Sequence, residues 1–129
     1  MVEPEHGIVA RRRTGRLSRS AEFDRVYRQG RSVANRYLVL YAFPRGGEEP
    51  ARVGLSVGRK VGGAVERNQL KRLLREACAR HLDELPAGHD IVLVARAPAR
   101  ELGETEGLAG VDGALAELVA KAPVAPVAP

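Results

Sequence analysis

Arg67, Asn68, Lys71, Arg72 and Arg75 recur at helical spacing, with Glu66 and Glu76 outside the set. At 3.6 residues per turn all five fall within one arc of about 140°. Like charges at i, i+4 repel by a few tenths of a kcal/mol per pair, and no acid inside the arc relieves them. A basic face that only keeps a protein soluble would more usually alternate signs. This arc reads instead as a phosphate-binding face, because guanidinium forks match phosphate oxygens and Asn68 could bond a 2′-hydroxyl or a base edge. Arg59 and Lys60 lie just upstream and extend the arc through the Gly62-Gly63 loop. Unpaired N–H groups at the helix start would add to its attraction for an anion.

The aromatic residues form a second constellation. All five lie between Phe23 and Phe43. Phe23 and Tyr27 share a helix face at i, i+4, while Tyr37, Tyr41 and Phe43 alternate along one strand face. They could simply pack a helix onto a sheet, and Phe23 and Phe43 suit that role. Tyrosines interleaved with Arg25, Arg28, Arg31 and Arg36 suit a groove in which single-stranded bases stack beneath a positive rim.

Catalysis by the chain itself has little support. His6, His81 and His89 show no spacing that would bring two of them together as an acid/base pair. His81 lies on an apolar stripe and reads as a packed core residue. His81, Asp83 and Glu84 lack the spacing of a closed metal site. Cys78 reads as buried and inert. The glycine-rich run from Gly54 to Gly62 lacks the Gly-Lys-Ser/Thr ending of a P-loop. No catalytic residue and no metal ligand is assigned.

These groups must be positioned by a small set of elements. Ser18 or Ser20 could cap a short helix carrying Phe23, Val26 and Tyr27, which Gly30 ends. Ser32 to Phe43 reads as one long strand, with Tyr37, Val39, Tyr41 and Phe43 on one face and Leu38, Leu40 and Ala42 on the other. After a turn at Arg45–Pro50, Ala51–Val57 reads as its hairpin partner. A strong helix spans roughly Val65 to Leu82, with Leu70, Leu73, Leu74, Ala77, Cys78, His81 and Leu82 as its apolar stripe. Ile91–Ala95 reads as a strand buried on both faces. Residues 101–122 read as a weaker helix broken by glycines. The order is α-β-β-α-β-α, an α+β domain over residues 16–122. A basic arm (1–15) precedes it and a Pro/Ala/Val tail (123–129) follows.

Length and charge agree with a single domain that meets a polyanion. The 129 residues include 44% apolar residues, enough for a single core. The net charge of +5 hides an asymmetry: residues 11–80 hold 18 Lys+Arg against 6 Asp+Glu, and residues 81–129 hold 3 against 8. Such a block points to a polyanion. The lone cysteine cannot form an internal disulfide, no apolar run approaches a membrane span, and no secretory signal is visible, so a soluble cytoplasmic protein is expected.

The run from Val53 through Gly58-Arg59-Lys60-Val61-Gly62 to Arg67-Asn68-Gln69-Leu70-Lys71-Arg72 and Glu76 closely resembles the signature of the bacterial ribonuclease P protein component. Arg16–Tyr27, Ser32–Arg36 leading into Leu38–Tyr41, and Ile91–Ala99 resemble the same family in the same order. One departure is visible. The family's Arg-Asn-Arg triplet appears here as Arg67-Asn68-Gln69, and Gln69 falls outside the basic arc, so the change should be mild.

The resemblance implies an α/β sandwich with a small mixed sheet and a left-handed β-α-β crossover, similar to a ribosomal protein S5 domain. It implies a ribonucleoprotein that hydrolyses the 5′ leader from precursor tRNA, with a Mg2+-dependent RNA subunit doing the chemistry. Carried over by residue, Arg59, Lys60, Arg67, Asn68, Lys71, Arg72 and Arg75 become the face for the catalytic RNA. Phe23, Tyr27, Val39 and Tyr41 become the leader cleft, with Tyr37 as a neighbour. Neither a membrane nor a small-molecule substrate is implied. Two alternatives differ in class: a non-enzymatic RNA-binding or ribosome-associated protein, and a self-sufficient ribonuclease using His81 or His89.

Overall fold

A computed structural model describes residues 20–121 of the chain. The basic arm, His6, the candidate cap Ser18 and the C-terminal tail lie outside the described residues. Helix α1 (Ser20–Gln29) is followed by strands β1 (Arg31–Ala34), β2 (Leu38–Pro44) and β3 (Arg52–Ser56). Helix α2 (Ala64–His81), a 3-10 turn (Leu82–Glu84), strand β4 (His89–Ala95) and helix α3 (Pro98–Ala120) complete the order. The α+β class and the α-β-β-α-β-α order hold, with a short hairpin in the first β position.

That hairpin corrects the single strand expected over residues 32–43. Asn35 interrupts it: its Oδ1 accepts from the N–H groups of Tyr37 and Leu38, both at 2.9 Å. Such an Asx turn reverses the chain within residues whose composition otherwise favours a strand. The Asn35 amide also donates to the Ala114 carbonyl at 3.0 Å, tying the turn to α3.

The sheet order is β1-β2-β4-β3, with β1–β2 and β2–β4 antiparallel and β3–β4 parallel. The expected hairpin between the second and third strands is therefore absent, because β4 lies between them. Turn composition at Arg45–Pro50 marks a change of direction but says nothing about which edges pair. This loop instead wraps the start of β4, where the Arg45 and Gly46 N–H groups donate to the Gly88 carbonyl and Gly88 N–H donates to Glu49.

Alternation sorts the sheet into two faces. Leu38, Leu40, Ala42, Val53, Leu55, Ile91 and Leu93 meet Leu70, Leu74, Ala77 and Cys78 of α2 and Leu102, Val111, Leu115 and Leu118 of α3 in the larger core. On the other face Val92 meets Phe23 and Val26 of α1, with Tyr27, Tyr41, Phe43 and Val94 around them. The apolar run in β4 is buried on both sides, as its lack of alternation required. Helix α1 crosses the strands. Phe23 packs directly on Gly54 of β3, in the space a Cβ would need, and Gly30 leaves no such space before the Ala42 carbonyl of β2.

Pro98 occupies the first turn of α3, where its missing N–H costs nothing. Of its glycines only Gly107 leaves helical geometry (φ 62°, ψ −148°), producing one kink rather than a broken segment. His81 is not simply core. Its Nδ1 lies 2.8 Å from Glu84 and its Nε2 lies 2.9 Å from Asp112 of α3, with Arg80 Nε 3.6 Å from the same Asp112 carboxylate.

Two expectations follow. Gly54→Val should displace Phe23 and destabilise the fold by about 1–3 kcal/mol, the usual range for overpacking, as read by urea denaturation. Desolvation lowers the His81 pKa, but Glu84 and Asp112 outweigh it and raise it above its usual value of 6.5. A raised folded-state pKa stabilises below the unfolded value and the contribution fades as pH climbs through the folded one. Melting temperature should therefore fall across that window, and Asp112→Asn should flatten the slope.

Candidate nucleic-acid interface

The face of the sheet carrying α1 offers an aromatic groove along that helix. Tyr27 meets Tyr41 edge-to-face, with ring centroids 5.0 Å apart and planes at 78°, and Phe23 lies 6.4 Å from Tyr27. Phe23 is buried as the floor, while Tyr27, Val39 and Tyr41 are half-buried and reach solvent. Burial raises the Tyr27 phenol pKa, with smaller pushes from Tyr41 and Asp24, while a side-chain hydrogen bond from Ser56 works against the rise. The phenol stays protonated at neutral pH, and the bond to Ser56 fixes where it sits. Edge-to-face packing leaves ring faces available for a planar partner.

Val39 stands opposite Val94 in the β2–β4 register, and Val94 continues the floor. Beyond it an open depression of ≈ 460 Å³ is lined by Ser56, Gly58, Arg59, Lys60, Val61, Val94 and Ala95. An apolar, aromatic trough thus runs into two exposed cations. Arg59 and Lys60, which the sequence joined to the α2 arc, stand at the mouth of the trough. Ser56 was missed by sequence reasoning, although period-2 alternation against Val53, Leu55 and Val57 puts it on this face.

Tyr37 is a correction. It precedes β2 inside the Asn35 turn, so strand alternation does not govern its side chain. Its ring joins the larger core near α3, with the Arg36 guanidinium 5.8 Å from its centroid. It lies away from the α1 groove and lines a depression with Pro98, Glu101 and Leu102.

The basic arc on α2 is partly submerged. Asn68 and Arg72 are exposed, Arg67 and Arg75 are half-buried, and Lys71 is only 7% exposed. Lys71 lies seven residues before the buried Cys78, on the same helical edge, so packing covers it. An open five-residue arc is therefore not what the fold presents, and Lys71 does not lie on its solvent side. Arg67 Nε is shielded from water and has no hydrogen-bond partner among the described residues. Gln69 sits at the α2–α3 side with Arg72, Leu73, Gly103, Glu104 and Gly107, around a depression of ≈ 370 Å³.

The other candidate chemistry stays apart. His81 is engaged by two carboxylates, whereas His89 is buried at the start of β4, its Nδ1 3.0 Å from the Ala87 carbonyl. Burial pushes the Cys78 thiol up to about 12, which removes thiolate chemistry. Among the described residues no group of three or more His, Cys, Asp or Glu is placed to hold a metal ion, and no helix is long and apolar enough to cross a membrane.

Known proteins share both sequence and architecture. The family model described as Ribonuclease P matches residues 12–119. The ribonuclease P protein component of Halalkalibacterium halodurans is 46% identical over 87 residues, covering 67% of this chain and 73% of the relative. The Staphylococcus aureus RNase P protein superposes with a TM-score of 0.73 at 34% identity, covering 84% of this chain and 94% of that one. The RNase P protein from Thermotoga maritima superposes at 0.74 with 32% identity, covering 81% and 94%. Sequence and fold agree: this chain belongs to the ribonuclease P protein component family.

Proposed function

We propose that the chain serves a ribonuclease P holoenzyme by holding two RNAs at once. The exposed part of α2, with Asn68, Arg72 and the half-buried Arg67 and Arg75, meets the catalytic RNA. The groove of Phe23, Tyr27, Val39 and Tyr41 takes the single-stranded 5′ leader of precursor tRNA. Arg59 and Lys60 join the two surfaces at the mouth of the groove, where a leader phosphate passes close to the RNA subunit. Hydrolysis of the leader is then RNA chemistry, carried out in the cytoplasm. Mg2+ serves that reaction at the RNA subunit.

The observation that carries this reading is the trough itself, edge-to-face tyrosines on a sheet floor opening onto two exposed cations. Bases stack on such rings irrespective of sequence, while the cations follow the backbone. The exposed Arg72 and the half-buried Arg67 and Arg75 support the second surface, because guanidinium forks match phosphate oxygens.

Reconstitution with a bacterial ribonuclease P RNA and precursor tRNA, omitting each component in turn, tests the whole. Tyr41→Ala should weaken binding of leader-bearing tRNA by about 1–3 kcal/mol, one stacked base, and leave mature tRNA unaffected. Equal loss for both would contradict the groove assignment. Arg67→Ala and Arg72→Ala should weaken binding to the RNA subunit and lower the log–log salt slope by roughly 0.7–0.9 per phosphate contact removed. An unchanged slope would place the RNA subunit elsewhere.

A further inference from the structure

Phe43 does not belong to the groove. Helix α1 ends against the Ala42 carbonyl, with Tyr41 on one flank of the crossing beside Tyr27 and Phe43 on the other. There the Arg25 guanidinium sits 5.5 Å from the Phe43 ring centroid. Phe43 also pairs in register with Asp90, whose carboxylate is fully buried. Asp90 Oδ1 lies 3.2 Å from Arg45 Nε and 2.9 Å from Arg52 Nε, and Oδ2 accepts from Arg52 Nη2 at 2.9 Å.

Three guanidinium groups thus surround one aromatic ring and one carboxylate, a local surplus of two positive charges. Arg52 satisfies the carboxylate bidentately. Arg45 closes the 45–50 turn, also donating to the Pro50 carbonyl at 2.9 Å. Arg25 is exposed and is the cation of this flank with no such structural bond to the turn. Asp90 also orders its two arginines before any ligand arrives, so little side-chain freedom would be lost on binding. A guanidinium lying over a ring offers its outer face to a base, and the neighbouring cations attract phosphate.

We propose that this flank of α1 is a second nucleotide subsite, which takes the 5′ continuation of the leader after it passes over the junction of α1 and β1. It rests on the assignment of the leader to the groove. The charge surplus beside a stackable ring fits a single RNA strand better than an acidic peptide, which would have no use for the aromatic component.

Binding of precursor tRNAs carrying progressively longer leaders to the reconstituted holoenzyme tests this. Arg25→Gln and Phe43→Leu, singly and together, should match wild type on short leaders. On long leaders they should lose roughly five-fold or more, the lower end of one stacked base. Arg25→Glu, an exposed charge reversal that leaves packing alone, should lose more and only on long leaders. If these variants follow the wild-type length profile while Tyr41→Ala loses leader dependence, the subsite is wrong and the groove stands. If wild type itself gains nothing from any leader, both assignments fall. Loss on short and long leaders alike would make Phe43 a support of the groove and overturn the subsite.

Discussion

Strand β4 is apolar on both faces, and the rest of the molecule follows from covering it. Ile91 and Leu93 require the α2–α3 layer, and Val92 requires α1. A strand with this composition cannot sit at a sheet edge or face water without losing about 25 cal/mol per Å² of apolar area. It takes the interior position between β2 and β3, and that choice separates two strands that are neighbours in sequence. The α1 layer is much thinner than the opposite one: one short helix lies across three strands and cannot cover them all. The uncovered remainder is the aromatic trough on one flank and the Arg25–Phe43 patch on the other.

Much of this was legible in the residues. Periodicity located α2 and both faces of β2, and the unbroken apolar run identified β4 as doubly buried. Pairing partners were not legible, because hydrogen-bonding edges carry no side-chain signature and an interposed strand leaves no trace in a turn. The Asn35 reversal was hidden for a related reason. A single side chain accepting two backbone N–H groups overrode β-propensity across four residues. Tyr37 was misplaced as a direct result, since alternation holds only within a strand. Gly103, Gly110 and Gly113 look like breaks in composition, yet packing of α3 on α2 keeps them helical.

The basic surface shows how a helical wheel can be right in angle and wrong in exposure. The arc from Arg67 to Arg72 borders the apolar stripe, and the boundary between core and solvent cuts through it. Lys71 falls on the buried side, Arg67 and Arg75 straddle the boundary, and Asn68 and Arg72 stand clear. Cations held at such an edge are less hydrated than fully exposed ones, so a polyanion has less water to displace. Asp90 brings the same economy of motion to Arg45 and Arg52 at the opposite end of the sheet.

The interposition of β4 also sets an order for folding during synthesis. As the chain leaves the ribosome, β2 emerges with only β1 to pair with, and β3 emerges with no sheet neighbour at all. Both wait for residues 89–95, and Asn35 waits longer, since its amide partner Ala114 lies 79 residues downstream. The trough is a property of the assembled sheet, so most of the chain must be translated before it exists. Until then the arginine-rich first half is an unfolded polycation among the RNAs of the translation machinery. Its positive charge thus precedes the surfaces that arrange it, and the last strand to be made converts one into the other.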